Sequence, residues 1–167
     1  MNKKLFGLIF VCLLVLGYVF FVKTGVENLG LFVKEHPALA YWAVFEEIYE
    51  VDSALNTGSK YLAIDLTKVK LDEKKYLIQL FEEFCEANGY ILLQDTIEEL
   101  EEKGYIKDLY FEEGFVIIFD DKELREGKLI TAVTKWRSGL GAIGADYTVE
   151  LKRGIWKITK TENNWIS

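Results

Sequence analysis

Cysteine, histidine and proline are almost absent from this chain: two, one and one residues in 167. Cys12 lies inside a hydrophobic run, so Cys85 is the only thiol left for the remainder and no disulfide is expected within it. A single histidine, His36, provides no Cys/His cluster for zinc. A Ser-His-Asp arrangement would have to combine His36 with Ser53, Ser59 or Ser138. A Cys85–His36 pair is the other formal nucleophile, but Cys85 falls on the apolar stripe of an expected helix, where a thiol acts as packing. The sequence therefore assigns no catalytic residue, no metal site and no cofactor.

Positive charge is also scarce. Twenty Lys and Arg stand against 27 Asp and Glu, a net charge of −7. Lys3, Lys4 and Lys23 are the only charged residues among the first 23, so residues 24–167 carry 17 basic and 27 acidic side chains, a net charge of −10. Such a surface repels phosphate backbones, which excludes nucleic acid as a partner. It also lacks a basic patch for anionic lipid.

One segment lacks polar residues. Leu5 to Val22 reads LFGLIFVCLLVLGYVFFV, with no charged side chain and no polar stripe. At ~1.5 Å per residue such a helix is ~27 Å long, close to the hydrocarbon thickness of a bilayer. A cleaved signal peptide has a shorter apolar region followed by small residues at the −3 and −1 positions, and the flank Val22-Lys23-Thr24-Gly25-Val26 has no such site. Cys12 is mid-run, after Val11, which disfavours lipidation. The expected organisation is a membrane anchor at 1–23, a stalk at 24–36 and one domain at 37–167. Lys3 and Lys4 bias the N-terminus toward the cytoplasm, which makes this a single-pass signal-anchor with its C-terminal domain outside.

The domain begins with helical periodicity. Pro37 opens a helix carrying Tyr41, Trp42, Phe45, Ile48 and Tyr49 on its apolar side. Tyr61–Val69 alternates as a strand. From Asp72 to Asn88, Leu77, Leu80, Phe81, Phe84 and Cys85 recur at helical spacing, and Gly89 is placed to end that helix. Tyr90–Leu93 reads as a short strand, and Asp95 with Glu98 resembles a capping box for a small helix closed by Gly104. After Tyr105 the period becomes two. Ile106–Phe111 is expected to pair with Phe115–Phe119 across Glu112-Glu113-Gly114. Leu129–Arg137 and Ala145–Leu151 follow, and Arg153-Gly154 turns the chain into Ile155–Lys160. Helices first and hairpins last predict an α+β domain, with helices packed on one face of a curved antiparallel sheet. That order resembles cystatin-like and NTF2-like folds in outline, an architectural analogy that carries no function.

Glycine is concentrated in Trp136-Arg137-Ser138-Gly139-Leu140-Gly141-Ala142-Ile143-Gly144. Gly139, Gly141 and Gly144 match G-x-G-x-x-G, but a dinucleotide fingerprint needs a helix after the glycines, and Ala145–Leu151 is a strand. A kinase-type glycine loop would need a large catalytic region downstream, and 23 residues remain. The segment reads as a hairpin connection or bulge in which positive φ or close backbone approach is required. A second reading makes it a recognition site for a small anionic ligand: Ser138, Gly139, Gly141 and Gly144 present backbone N–H groups, and Lys135 and Arg137, two apart on one strand face, add charge. Trp136 points the other way.

The acidic groups Glu98-Glu99 with Glu101-Glu102, and Asp120-Asp121 with Glu123, lack calcium-loop spacing and read as solvated faces and turns. Tyr110, Phe111, Phe115 and Phe119 are many aromatics for two short strands and would line a groove wherever helices leave the sheet uncovered. The expected function is a membrane-anchored, non-catalytic binding or accessory module: a sensor, an inhibitor or a subunit. A carboxylate-dependent hydrolase and a structural subunit of a membrane complex are the alternatives.

Overall fold

Among the described residues, three helices form where the apolar residues recur with helical period. In the computed structural model, which describes residues 35–167, α1 spans Ala38–Glu50 and buries Tyr41, Val44, Phe45 and Ile48. Pro37 sits one position ahead of it, and its carbonyl accepts the Ala40 N–H at 2.9 Å. α2 spans Lys75–Asn88, buries Leu77, Phe81 and Cys85, and stops at Gly89 in the left-handed region, φ 75°. α3 spans Ile97–Glu102. Its capping box is Thr96 with Glu99, one residue beyond the pair read from the sequence. Asp95 instead accepts a salt bridge from Lys103 at 2.5 Å.

Six strands make one sheet: β1 (Tyr61–Lys68), β2 (Ile91–Leu93), β3 (Gly114–Arg125), β4 (Lys128–Ser138), β5 (Gly141–Lys152) and β6 (Ile155–Ile166). Their order is β2-β1-β3-β4-β5-β6. The class is α+β as expected, but the sheet is mixed rather than wholly antiparallel. β1 runs parallel to β2 on one side and to β3 on the other. Strands β3 to β6 form the antiparallel meander. The cause lies in the connections. A strand followed by a 14-residue helix returns to the end it started from, so the next strand lies parallel. The cystatin-like or NTF2-like outline thus fails for the half of the sheet that holds β1 and β2.

A second expectation also fails. Ile106–Phe111 is not a strand; it contributes only the isolated bridges Lys107–Tyr110 and Tyr110–Ser138. Phe115–Phe119 pairs instead with β1 and β4. The continuous run Phe115-Val116-Ile117-Ile118-Phe119 marks a strand covered on both faces, which an outer hairpin strand would not need.

Both faces are covered, where one was expected. On the first, α1 and α2 lie over Leu62, Ile64, Phe115, Ile117, Phe119, Val133 and Val149. Aromatic rings close this layer, with Phe45 and Phe81 at 4.8 Å and Phe45 and Phe84 at 4.9 Å between centroids. Burying each such ring contributes ~1.5–3 kcal/mol before entropy is charged against it. On the second face, Leu100 of α3 joins Ile106, Phe111, Ala63 and Val116. Trp136 packs against this second layer, opposite Lys135, as the strand alternation requires.

Pro37–Ser167 is one compact unit. The expected anchor, its orientation and most of the stalk lie outside the described residues. Among the described residues, no helix is long and apolar enough to cross a membrane.

Candidate functional site

The glycine-rich segment lies at one end of the sheet. There β1 and β3 begin, β4 ends at Ser138, and Gly139-Leu140 turns the chain into β5, with Ser138 paired to Gly141. None of the three motif glycines has positive φ. Their reason is close approach instead. A Cβ on Gly144 would stand 2.6 Å from the Trp165 ring, and one on Gly141 would stand 2.8 Å from Ser138 Oγ. At Gly139 the nearest neighbour is Leu109 at 3.7 Å, an ordinary contact. The register shift between Trp136 and Ser138 places a bulge in β4 beside the turn.

Lys135 and Arg137 share a face, as their spacing predicts; Lys135 reaches the end of α1 and Arg137 the 3-10 turn that follows it. Lys135 is fully buried. Its ammonium donates to the carbonyls of Val51 at 2.5 Å, Tyr49 at 2.9 Å and Asp52 at 3.1 Å, and to Asn56 Oδ1 at 3.1 Å. Three N–H donors meet four acceptors, so none is left for an anion. Burial pushes this ammonium down to about 8, against the opposing pull of Asp52 and Glu50. Arg137 donates to the carbonyls of Leu55 at 3.1 Å, Thr57 at 2.7 Å and Glu112 at 2.8 Å. The two cations thus tie α1, the 3-10 turn Ser53–Asn56 and the loop before β3 to the end of β4. Carbonyls at a helix C-terminus lack intrahelical donors and carry partial negative charge, which explains the choice of cations here.

The opposite end holds a second buried polar pair. Tyr41 of α1 donates its hydroxyl to Asp121 Oδ2, which also accepts the Lys70 N–H at 2.8 Å. Desolvation, then the hydrogen bond to Asp121, pushes the Tyr41 phenol above its ordinary range. Asp121 Oδ1 is buried with no hydrogen-bond partner. The neighbouring acids go elsewhere: Asp120 to Lys68 at 2.9 Å and Glu123 to Arg125 at 2.6 Å. Glu99 caps α3, so neither acidic group converges on a point. No three His, Cys, Asp or Glu side chains among the described residues are grouped to hold a metal. Cys85 is buried, and desolvation pushes its thiol up to about 11.

What the sequence reading missed is the loop 104–113. Lys107 and Tyr110 exchange backbone hydrogen bonds at 3.1 and 2.9 Å, closing a tight turn. Asp108 and Leu109, at its tip, both adopt left-handed backbone, φ 50° and 58°. The loop encloses a cavity of about 490 Å³ between Gly104 and Glu113. Gly139 N–H donates to Leu109 O at 3.0 Å, which brings that turn against the glycine turn. Leu109 is 61% exposed and Leu140 is 91% exposed. Among the described residues, Val51, Ile91, Tyr105, Tyr110, Trp165 and Ile166 are exposed toward the same end, and only Ile155 is exposed at the other. Neither leucine stands out in the sequence, and the turn at Leu109 is hidden because Ile106–Phe111 reads as a strand.

Comparison of the chain with protein-family models, with curated proteins and with solved structures finds no match.

Proposed function

We propose that the chain is a membrane-anchored binding or accessory module with no catalytic chemistry of its own. The observation that carries this reading is that, among the described residues, eight of the nine exposed large apolar side chains lie toward one end of the sheet, Leu109 and Leu140 among them. Exposed apolar surface of this kind is a liability for an isolated domain and an asset for one that docks. The apolar run at 5–22 supports the anchor. The cations that an anion site would use are engaged in holding backbone: Lys135 and Arg137 each bind carbonyl groups of the fold.

The test has two parts. The full chain, expressed with a reporter fused after Ser167, is expected to resist alkaline extraction from membranes and to report from the outer side. A chain recovered in the soluble fraction, or a reporter active only in the cytoplasm, would overturn the anchor or its orientation. The detergent-solubilised chain is expected to leave a panel of glycosides and peptides intact. Turnover abolished by one acid-to-amide change would establish the hydrolase instead.

A further inference from the structure

We propose that loop 104–113 is a docking pocket for a basic side chain of a partner protein, with Leu109 and Leu140 receiving the apolar residues beside it. This rests on the binding-module reading and names the partner's chemistry. The cavity of about 490 Å³ falls within the usual range for ligand and side-chain pockets. Two exposed rings line it, Tyr105 and Tyr110, and the buried Phe111 ring stands 6.4 Å from Tyr105 between centroids. Its acids are Asp108, Glu112 and Glu113, opposed in the lining by Lys107 alone. None of the three carboxylates takes part in a salt bridge among the described residues. Lys60, seated over the Tyr61 ring, acts on Glu113 from beside the loop, yet the lining itself keeps two more acids than bases, and aromatic faces with excess carboxylate attract a cation.

The leucines say what surrounds that cation. The turn at Asp108-Leu109 requires left-handed backbone at both residues, where Asn, Asp or Gly is favoured and a leucine is strained. The two-residue turn Gly139-Leu140 puts a second leucine, 91% exposed, beside it. Leu109 opposes both backbone preference and hydration, and Leu140 opposes hydration. A partner with apolar residues flanking its basic one removes the hydration cost. Arg137, bonded to Glu112 O, holds the pocket's rim to β4, so the site is formed before binding. A lipid surface fits less well, because the acidic rim and the net charge of −10 repel anionic headgroups.

The test uses the full chain in non-ionic detergent. Ring resonances of Tyr105 and Tyr110 are followed by NMR while capped synthetic tripeptides Leu-Arg-Leu, Leu-Gln-Leu and Leu-Glu-Leu are added. The arginine peptide is expected to move both tyrosines and the glutamate peptide neither. The double variant Glu112→Gln, Glu113→Gln is expected to weaken the arginine peptide about fivefold, the worth of two exposed charge contacts. Leu109→Asn with Leu140→Asn is expected to weaken it further, while near-UV circular dichroism stays unchanged in both variants. The inference is overturned if no peptide moves the tyrosines, if all three move them equally, or if the Gln variant binds like the parent. It is also overturned if arginine amide alone binds as tightly as the tripeptide, or if neutral phosphatidylcholine vesicles give the same shifts. The module reading stands apart: a chain that fractionates with membranes but binds no peptide loses the pocket only.

Discussion

Lys135 places its ammonium nitrogen 2.9 Å from the carbonyl oxygen of Tyr49, 86 positions earlier in the chain, so a strand residue caps the end of a helix. Lys135→Met keeps the packed methylene stem but removes the donors from Tyr49, Val51, Asp52 and Asn56. We expect it to cost about 2–4 kcal/mol in urea unfolding at neutral pH, because buried carbonyls are left without partners. The pH dependence has a definite sign. The unfolded lysine holds its proton up to 10.5, whereas burial drops the folded one to about 8. Between those values the unfolded state binds more protons, so this group's contribution rises with pH. The stability gap between parent and Lys135→Met should therefore widen from pH 8 to 10.5. A flat gap would mean that the ammonium is not desolvated.

Tyr41 and Asp121 make the opposite prediction. The folded phenol is raised by desolvation and by the hydrogen bond to Asp121. Its contribution is fully present below the unfolded value of 10.0 and is lost as pH rises above it. Alkaline absorbance titration should show a tyrosine that ionises only on unfolding, together with Tyr147, which burial and then Glu47 push up to about 12. Tyr41→Phe should abolish the Tyr41 part and cost about 1–3 kcal/mol, since it removes the only side-chain donor to a buried carboxylate whose second oxygen is already unpartnered.

The helices were legible because their apolar residues repeat locally, and Gly89 marked the end of α2, whereas its start lies at Lys75 rather than at Asp72. The hairpins β3 to β6 were legible from turn residues such as Glu126-Gly127 and Arg153-Gly154. The parallel pairing of β1 was carried by element order rather than by any residue, and by the unbroken run Phe115–Phe119, which belongs to a strand buried on both sides. The cap formed by Lys135 was not legible. Strand alternation placed it on a face with Arg137, but only the fold shows that this face meets the C-terminus of α1. The loop 104–113 was hidden because Lys107-Asp108-Leu109-Tyr110 carries none of the Gly or Asn that a turn with two left-handed residues prefers.

The three motif glycines should respond unequally to alanine. A phosphate-binding loop would need all of them. Here Gly144→Ala drives a Cβ into the Trp165 ring at 2.6 Å, so β6 or the indole must move, at about 1–3 kcal/mol. Gly139→Ala meets only an ordinary contact at 3.7 Å and should be close to neutral. Gly141→Ala meets Ser138 Oγ at 2.8 Å, a side chain free to rotate, and should fall between the two. Adding Trp165→Ala to Gly144→Ala should recover part of the loss. Equal effects at all three positions would contradict the packing explanation.

Leu109 sets stability against docking. Its left-handed backbone, φ 58°, costs a leucine roughly 1 kcal/mol that asparagine or glycine would largely avoid. Its side chain returns little of this, because it is 61% exposed and touches the glycine turn only at its edge. Leu109→Asn should therefore raise the unfolding free energy by about 0.5–1 kcal/mol, in contrast to most substitutions of a large apolar residue. The same change should weaken peptide binding at loop 104–113, because it removes one of the two apolar flanks. Chemical denaturation and the tyrosine titration, run on one preparation, read the two effects separately. A variant less stable than the parent would show that contact with the Gly139 turn outweighs the backbone strain, and Leu109 would then be a packing residue rather than part of a docking surface.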